Sequence, residues 1–224
     1  MEVQHHMETK KKYTLKNDFS MVALLLIPIA VAINFVGGQL ASLLKLPFYL
    51  DTIGTILAGM LAGPWVGAVA GALTNVVTGI ANPVNFYFIP VNVIVGLVTG
   101  FLSRGNMFNK WWKWIISMVL MALASIISAA PIVVLVFGGI TGGGTSLLTA
   151  TLMASGQSIW QSVISVELIF TVLDRIISYV ICWLIIMVIP ARTLVKYSCG
   201  EFYISKKARA AAEAAGEDDE PEDE

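Results

Sequence analysis

Charge is scarce in this 224-residue chain and confined mostly to its ends. Asp, Glu, Lys and Arg make up 13% of residues, about half of the roughly 25% usual in soluble domains. Between Val22 and Ile189 the charged residues are only Lys45, Asp51, Arg104, Lys110, Lys113, Glu167, Asp174 and Arg175. An ordinary water-soluble domain is thereby excluded. Histidine is nearly absent: His5 and His6 both sit in the polar N-terminal segment, so no Ser/His pair and no H-E-x-x-H helix can form. Of the two cysteines, Cys182 lies in an apolar run and Cys199 beyond its end. They have no metal-ligand spacing and imply no disulfide framework. No G-x-x-x-x-G-K-[ST] loop occurs, and the glycine-rich stretch Gly138–Gly144 has no lysine after it. Nothing points to an enzyme, a resident cofactor, a metal site or a nucleic-acid surface, and the chain cannot hydrolyse ATP by itself.

What is abundant is apolar sequence, 57% of the chain with a mean hydropathy of +0.78. Uncharged apolar runs of roughly 18 or more residues read as membrane helices. The expected architecture is all-α and polytopic, with membrane lipid as its surroundings. Residues 1–18 form a cytoplasmic segment, 19–190 a membrane domain of six transmembrane helices, and 191–224 a basic then acidic tail that should be largely disordered, ending in the acidic block Glu217–Glu224. The run Met21–Leu44 is too long for a signal-peptide core and lacks a small-residue cleavage site.

The spans are expected at about Phe19–Leu44, Asp51–Ala62, Pro64–Ile80, Pro90–Leu102, Trp111–Phe137 and Trp160–Ile189, with a short surface helix near Thr145–Ala154. Gly63-Pro64 separates the second from the third, because proline is tolerated in a first helical turn and breaks an interior. Charge favours six spans over five. With six, the N-terminus, the Ser103–Lys110 loop and the tail share one side, which then holds every Lys and Arg except Lys45 and Arg175. The positive-inside rule makes that side, and both termini, cytoplasmic. The cluster Trp111-Trp112-Lys113-Trp114 suits a headgroup-level aromatic belt.

The most patterned stretch is Asp51–Gly79, DTIGTILAGMLAGPWVGAVAGALTNVVTG. Gly59, Gly63, Gly67 and Gly71 recur every four residues, and the same spacing gathers Asp51, Thr55, Asn75 and Gly79. Residues four apart share a helix face, and a face without side chains lets another helix come very close. The stripe is therefore a packing surface, and its glycines are candidates for docking a partner subunit. Polar groups at membrane depth are costly and mark candidate sites. On the last helix, Glu167, Thr171, Asp174 and Ser178 share one face beside Arg175. These charges either bind a ligand or pair internally with one another and with Asp51. The three external loops, Lys45–Leu50, Ala81–Ile89 and Gly138–Ile159, carry amides and aromatics but a single formal charge, Lys45. They suit a small ring without large net charge better than a polyanion. The candidate binding set is Asn34, Gln39, Tyr49, Asp51, Asn75, Asn85, Tyr87, Asn92, Trp160, Glu167, Asp174 and Arg175.

The run NFVGGQLASLLKLPFYLDTIGTILAGMLAGPWVGAVAGALTN, the segment NPVNFYFIPVN and the six short spans resemble the substrate-binding S-components of energy-coupling factor (ECF) vitamin transporters, over about Phe19 to Ile189. The resemblance implies a bacterial cell-membrane protein that binds a water-soluble vitamin from outside. It also implies docking on a membrane scaffold subunit with two cytoplasmic ATPases, and the three outer loops capping the ligand. The family often carries Ala-x-x-x-Ala on helix 1 for docking, where this chain has Gly37-x-x-x-Ala41. A pyridoxine or hydroxymethylpyrimidine type ligand and cobalamin both remain open at this stage. So does a self-sufficient secondary transporter or channel using Asp51, Glu167, Asp174 and Arg175.

Overall fold

The computed structural model describes residues 18–108, 110–204 and 208, and among these the chain is helical with no strand. The principal elements are α1 (Met21–Leu43), α2 (Ile53–Ala62), α3 (Pro64–Ala81), α4 (Val84–Tyr87), α5 (Ile89–Arg104), α6 (Trp111–Leu135), α7 (Ser146–Ala154), α8 (Ile159–Val188) and α9 (Ala191–Leu194). Helices α1, α3, α6 and α8 are each long and apolar enough to cross a membrane; α2 and α5 are shorter apolar helices. The short helices α4, α7 and α9 lie in the connections and the C-terminal segment.

Local signals explain the helix ends. Ser20 caps α1, its Oγ accepting from Ala23 N at 3.2 Å. The break between α2 and α3 falls at Gly63, whose φ of 94° is in the range that favours glycine, followed by Pro64 in the first turn of α3. The glycine stripe faces inward. An added Cβ on Gly59 would meet Thr99 and Gly96 at 3.0–3.1 Å, and one on Gly67 would meet Gly96 O at 2.8 Å. Helix α5 answers with Gly96-x-x-x-Gly100, where a Cβ would run into the backbones of Gly67 and Pro64. The stripe thus brings α2 and α3 onto α5 within the chain. Gly37-x-x-x-Ala41 is used internally too, since Gly37 lies against Leu50 O and Ala41 is buried.

All ten residues of α2 are buried. Outward-facing Leu25, Ile29, Val36 and Leu43 on α1, and Leu168, Ile169, Leu184 and Val188 on α8, form part of the apolar surface a bilayer requires. Packing also continues past residue 190. Leu194, Tyr197 and Cys199 are buried, Cys199 N donates to Leu61 O at 2.9 Å, and Ser198 Oγ donates to Ala62 O at 2.9 Å. Residues 191–204 therefore close the end of the bundle at the α2–α3 turn; the acidic block lies outside the described residues. Asp18, fully buried at the same end, accepts from Arg104. Burial raises its carboxyl pKa, and the Arg104 guanidinium opposes that rise.

Candidate functional site

The site arises because α2 is short. Ten residues at about 1.5 Å each span roughly 15 Å, half of a ~30 Å hydrocarbon core. The connection from α1 dips into the bundle to reach Ile53, and its backbone groups need partners there. Asp174 Oδ1, on α8, accepts from Tyr49 N at 3.1 Å and Leu50 N at 2.9 Å. That grip holds Leu50 at a φ of 50°, a strained value for a branched side chain. Asn34 Oδ1 accepts from Gly54 N at 2.6 Å in the first turn of α2, and its Nδ2 donates to Thr55 and Thr74 at 2.9 and 2.8 Å. Arg175 donates to Thr52 through Nη1, which also lies 3.7 Å from Asp174 Oδ2.

Beside this scaffold lies a cavity of about 170 Å³. Tyr49, Asp51 and Thr52 line it from the dipping segment, Asn75 and Asn92 from α3 and α5, and Glu167, Thr171 and Arg175 from α8. Asn82, Asn85 and Phe88 contribute from the connection around α4, and Thr145, Ser146 and Thr149 from α7 and its start. Tyr49 Oη donates to Glu167 Oε1 at 2.8 Å, so at the 3.2 Å contact with Thr145 it is Thr145 that donates. Thr171 Oγ1 donates to Glu167 Oε2 at 2.9 Å. Phe137 holds the α4 connection, with Tyr87 edge-on at 5.2 Å and Phe88 stacked at 6.1 Å.

Of the twelve candidate binding residues, seven surround this cavity: Tyr49, Asp51, Asn75, Asn85, Asn92, Glu167 and Arg175. Asn34 and Asp174 are buried but act on the backbone of the α1–α2 segment, away from the lining. Gln39 is half-buried outside it, and Tyr87 and Trp160 are exposed. The hydroxyls of Ser125, Thr141, Thr145, Ser146 and Thr149 are lining residues outside the candidate set. Thr145 and Thr149 stand one helical turn apart in an apolar stretch, which was the available signal. Among the described residues no cluster of His, Cys, Asp or Glu could hold a metal ion, and both cysteines are buried free thiols.

The family model for the ECF transporter substrate-specific component matches residues 22–189, from the second residue of α1 through the end of α8. The chain belongs to the ECF transporter substrate-specific component family. Searches of curated proteins and of solved structures gave no match. Family membership makes this substrate-specific component a multi-pass cell-membrane transport subunit for a small molecule, working with ECF scaffold and ATPase subunits and not as an enzyme.

Proposed function

We propose that the chain captures a water-soluble vitamin or related heterocycle of one or two rings in this cavity, for ATP-driven import by partner subunits. The observation that carries the reading is the cavity itself, polar on several sides and capped by three loops. At about 10–15 Å³ per water, 170 Å³ takes roughly 11–17 waters, the bulk of a substituted pyridine or pyrimidine and far less than a corrinoid. A pyridoxine or hydroxymethylpyrimidine type ligand is therefore favoured over cobalamin. Six spans with both termini cytoplasmic complete the proposal. It is supported by Arg104, Lys110 and Arg192, which lie at helix ends opposite the cavity. Docking on the scaffold then falls to surfaces other than the glycine stripe.

Native mass spectrometry of the protein purified from its own host tests the ligand directly. A co-purified heterocycle of this size supports the proposal. Uptake by liposomes holding this chain alone, driven by a proton or sodium gradient, would overturn it in favour of a self-sufficient carrier. The structure already weakens that carrier by committing Asp174 and Arg175 to the α1–α2 segment.

A further inference from the structure

The cavity's polar groups are unevenly matched. Asp51 and Glu167 both line it, and Asp174 sits directly behind. Arg175 is the single cationic lining residue, and it is within ion-pair distance of Asp174. Glu167 is held by two neutral hydroxyls, and no cation lies within 4.0 Å of Asp51 or Glu167 among the described residues. The start of α2 adds about half a positive charge through its backbone dipole. With all three carboxyls ionised, one guanidinium and that dipole would leave an excess of up to about one and a half negative charges in a low-dielectric site, which a bound cation would offset.

A second observation is independent of charge. The side-chain amides form a relay whose direction is set by its last member. Asn85 O can only accept, so Asn75 presents Nδ2 to it, at 3.1 Å. Asn75 Oδ1 must then face Asn92, whose Nδ2 donates to it at 2.7 Å. This leaves Asn92 Oδ1 as a buried acceptor with no hydrogen-bond partner on a cavity residue that is 3% exposed. Arg175 Nε, on a lining residue 4% exposed, is a buried donor in the same condition. A buried polar atom left without a partner costs about 1–3 kcal/mol, which a ligand atom or water reaching it would recover.

We propose that the ligand is an organic cation, a heterocycle bearing a protonated amine or ring nitrogen, whose N–H groups face Asp51, Glu167 and Asn92 Oδ1 while one acceptor faces Arg175 Nε. This rests on the substrate-binding reading above and narrows it. An inorganic cation is disfavoured, since no described cluster of acidic residues has a metal-binding arrangement.

The test has two arms on the full-length protein in detergent, stripped of ligand. In the first, Asp51→Asn is compared with wild type by thermal unfolding. The carboxylate is held against like charge for the ligand's sake, so its removal raises the ligand-free Tm; an unchanged or lowered Tm overturns the inference. In the second, binding is measured for pyridoxamine, pyridoxine and 4-pyridoxate, one ring with a cationic, neutral or anionic substituent, and for thiamine, pantothenate and calcium chloride. A cationic organic probe should bind at least tenfold more tightly than any neutral or anionic one and lose that margin in Asp51→Asn. A neutral or anionic probe binding as well, or stabilisation by calcium alone, overturns the inference. If no probe binds and nothing co-purifies, the vitamin reading fails, and the first arm still decides whether the cavity is built for positive charge.

Discussion

Replacing Gly71 by alanine links the packing of the glycine stripe to the cavity. The added Cβ would stand 2.5 Å from Asn92 O and 2.8 Å from Asn92 C, with Thr55 Cγ2 at 3.1 Å. Ordinary contact begins at 3.4 Å, so the α5 backbone at Asn92 must retreat by about 0.9 Å. Overpacking of this kind costs about 1–3 kcal/mol. At about 2–4 °C per kcal/mol for a chain of this size, the Tm should fall by about 2–12 °C. Moving Asn92 also moves the amide relay on the cavity wall. Binding groups need placement within about 0.5 Å, so ligand retained through purification, measured by native mass spectrometry, should drop. Gly105→Ala is the control, because its Cβ meets nothing closer than 3.4 Å. The sign makes the experiment decisive. At an open helix-interior position glycine to alanine stabilises by about 1 kcal/mol, so a raised Tm for Gly71→Ala would refute the close α3–α5 approach.

Three further substitutions separate scaffold from site. Arg175→Ala strands buried Asp174 and Thr52 and should cost about 3–5 kcal/mol; an unchanged Tm would show that Arg175 is not part of a buried pair. Asn34→Ala removes three buried hydrogen bonds and leaves Gly54 N without its acceptor. It should cost about 1–3 kcal/mol while leaving bound-ligand occupancy in the surviving folded protein intact, and loss of ligand without loss of stability would place Asn34 in the site instead. Tyr49→Phe deletes the donor to Glu167 Oε1 and one tie between the dipping segment and α8. Ligand dissociation, followed by stopped-flow tryptophan fluorescence, should accelerate, and an unchanged rate would remove Tyr49 from the closure.

Much of the architecture was legible because bilayer physics constrains sequence strongly. The apolar runs and the Gly63-Pro64 break needed no structure. The number of membrane crossings is harder to read, because α2 is entirely enclosed by protein and carries no lipid-facing signature of its own. The polar residues were visible as costly, but cost alone does not say who the partner is. Asn34 is spent on α2 and α3, and Asp174 on the Tyr49–Leu50 backbone, whereas Asn75 and Asn92 reach the cavity. The lining hydroxyls were the hardest to see. Serine and threonine in apolar helices routinely bond their own preceding turn, as Thr74 does to Ala70 O, Thr99 to Val95 O and Ser125 to Met121 O. Their presence therefore carries little signal about a ligand.

The cavity and its cost have one origin, the early start of α2. A full-length helix there would fill the space beside α8 with side chains and satisfy its own backbone. Starting it at Ile53 leaves N–H groups that need acceptors and brings the chain in from α1 as non-helical backbone. Asn34, Asp174 and Arg175 are the groups that make this tolerable, and each does so from a neighbouring helix fixed by packing. The glycine contacts between α2, α3 and α5 then set the opposite wall at backbone-to-backbone distance, so the amide relay is carried on a rigid surface. The closure is held differently. Tyr49, bound to Glu167 and Thr145, joins the dipping segment to α8 and to the connection before α7 through side-chain hydrogen bonds. Such bonds are worth about 1 kcal/mol net between neutral groups and about 1.5–3 kcal/mol to a carboxylate, small enough to be exchanged for ligand contacts without unfolding the wall behind them.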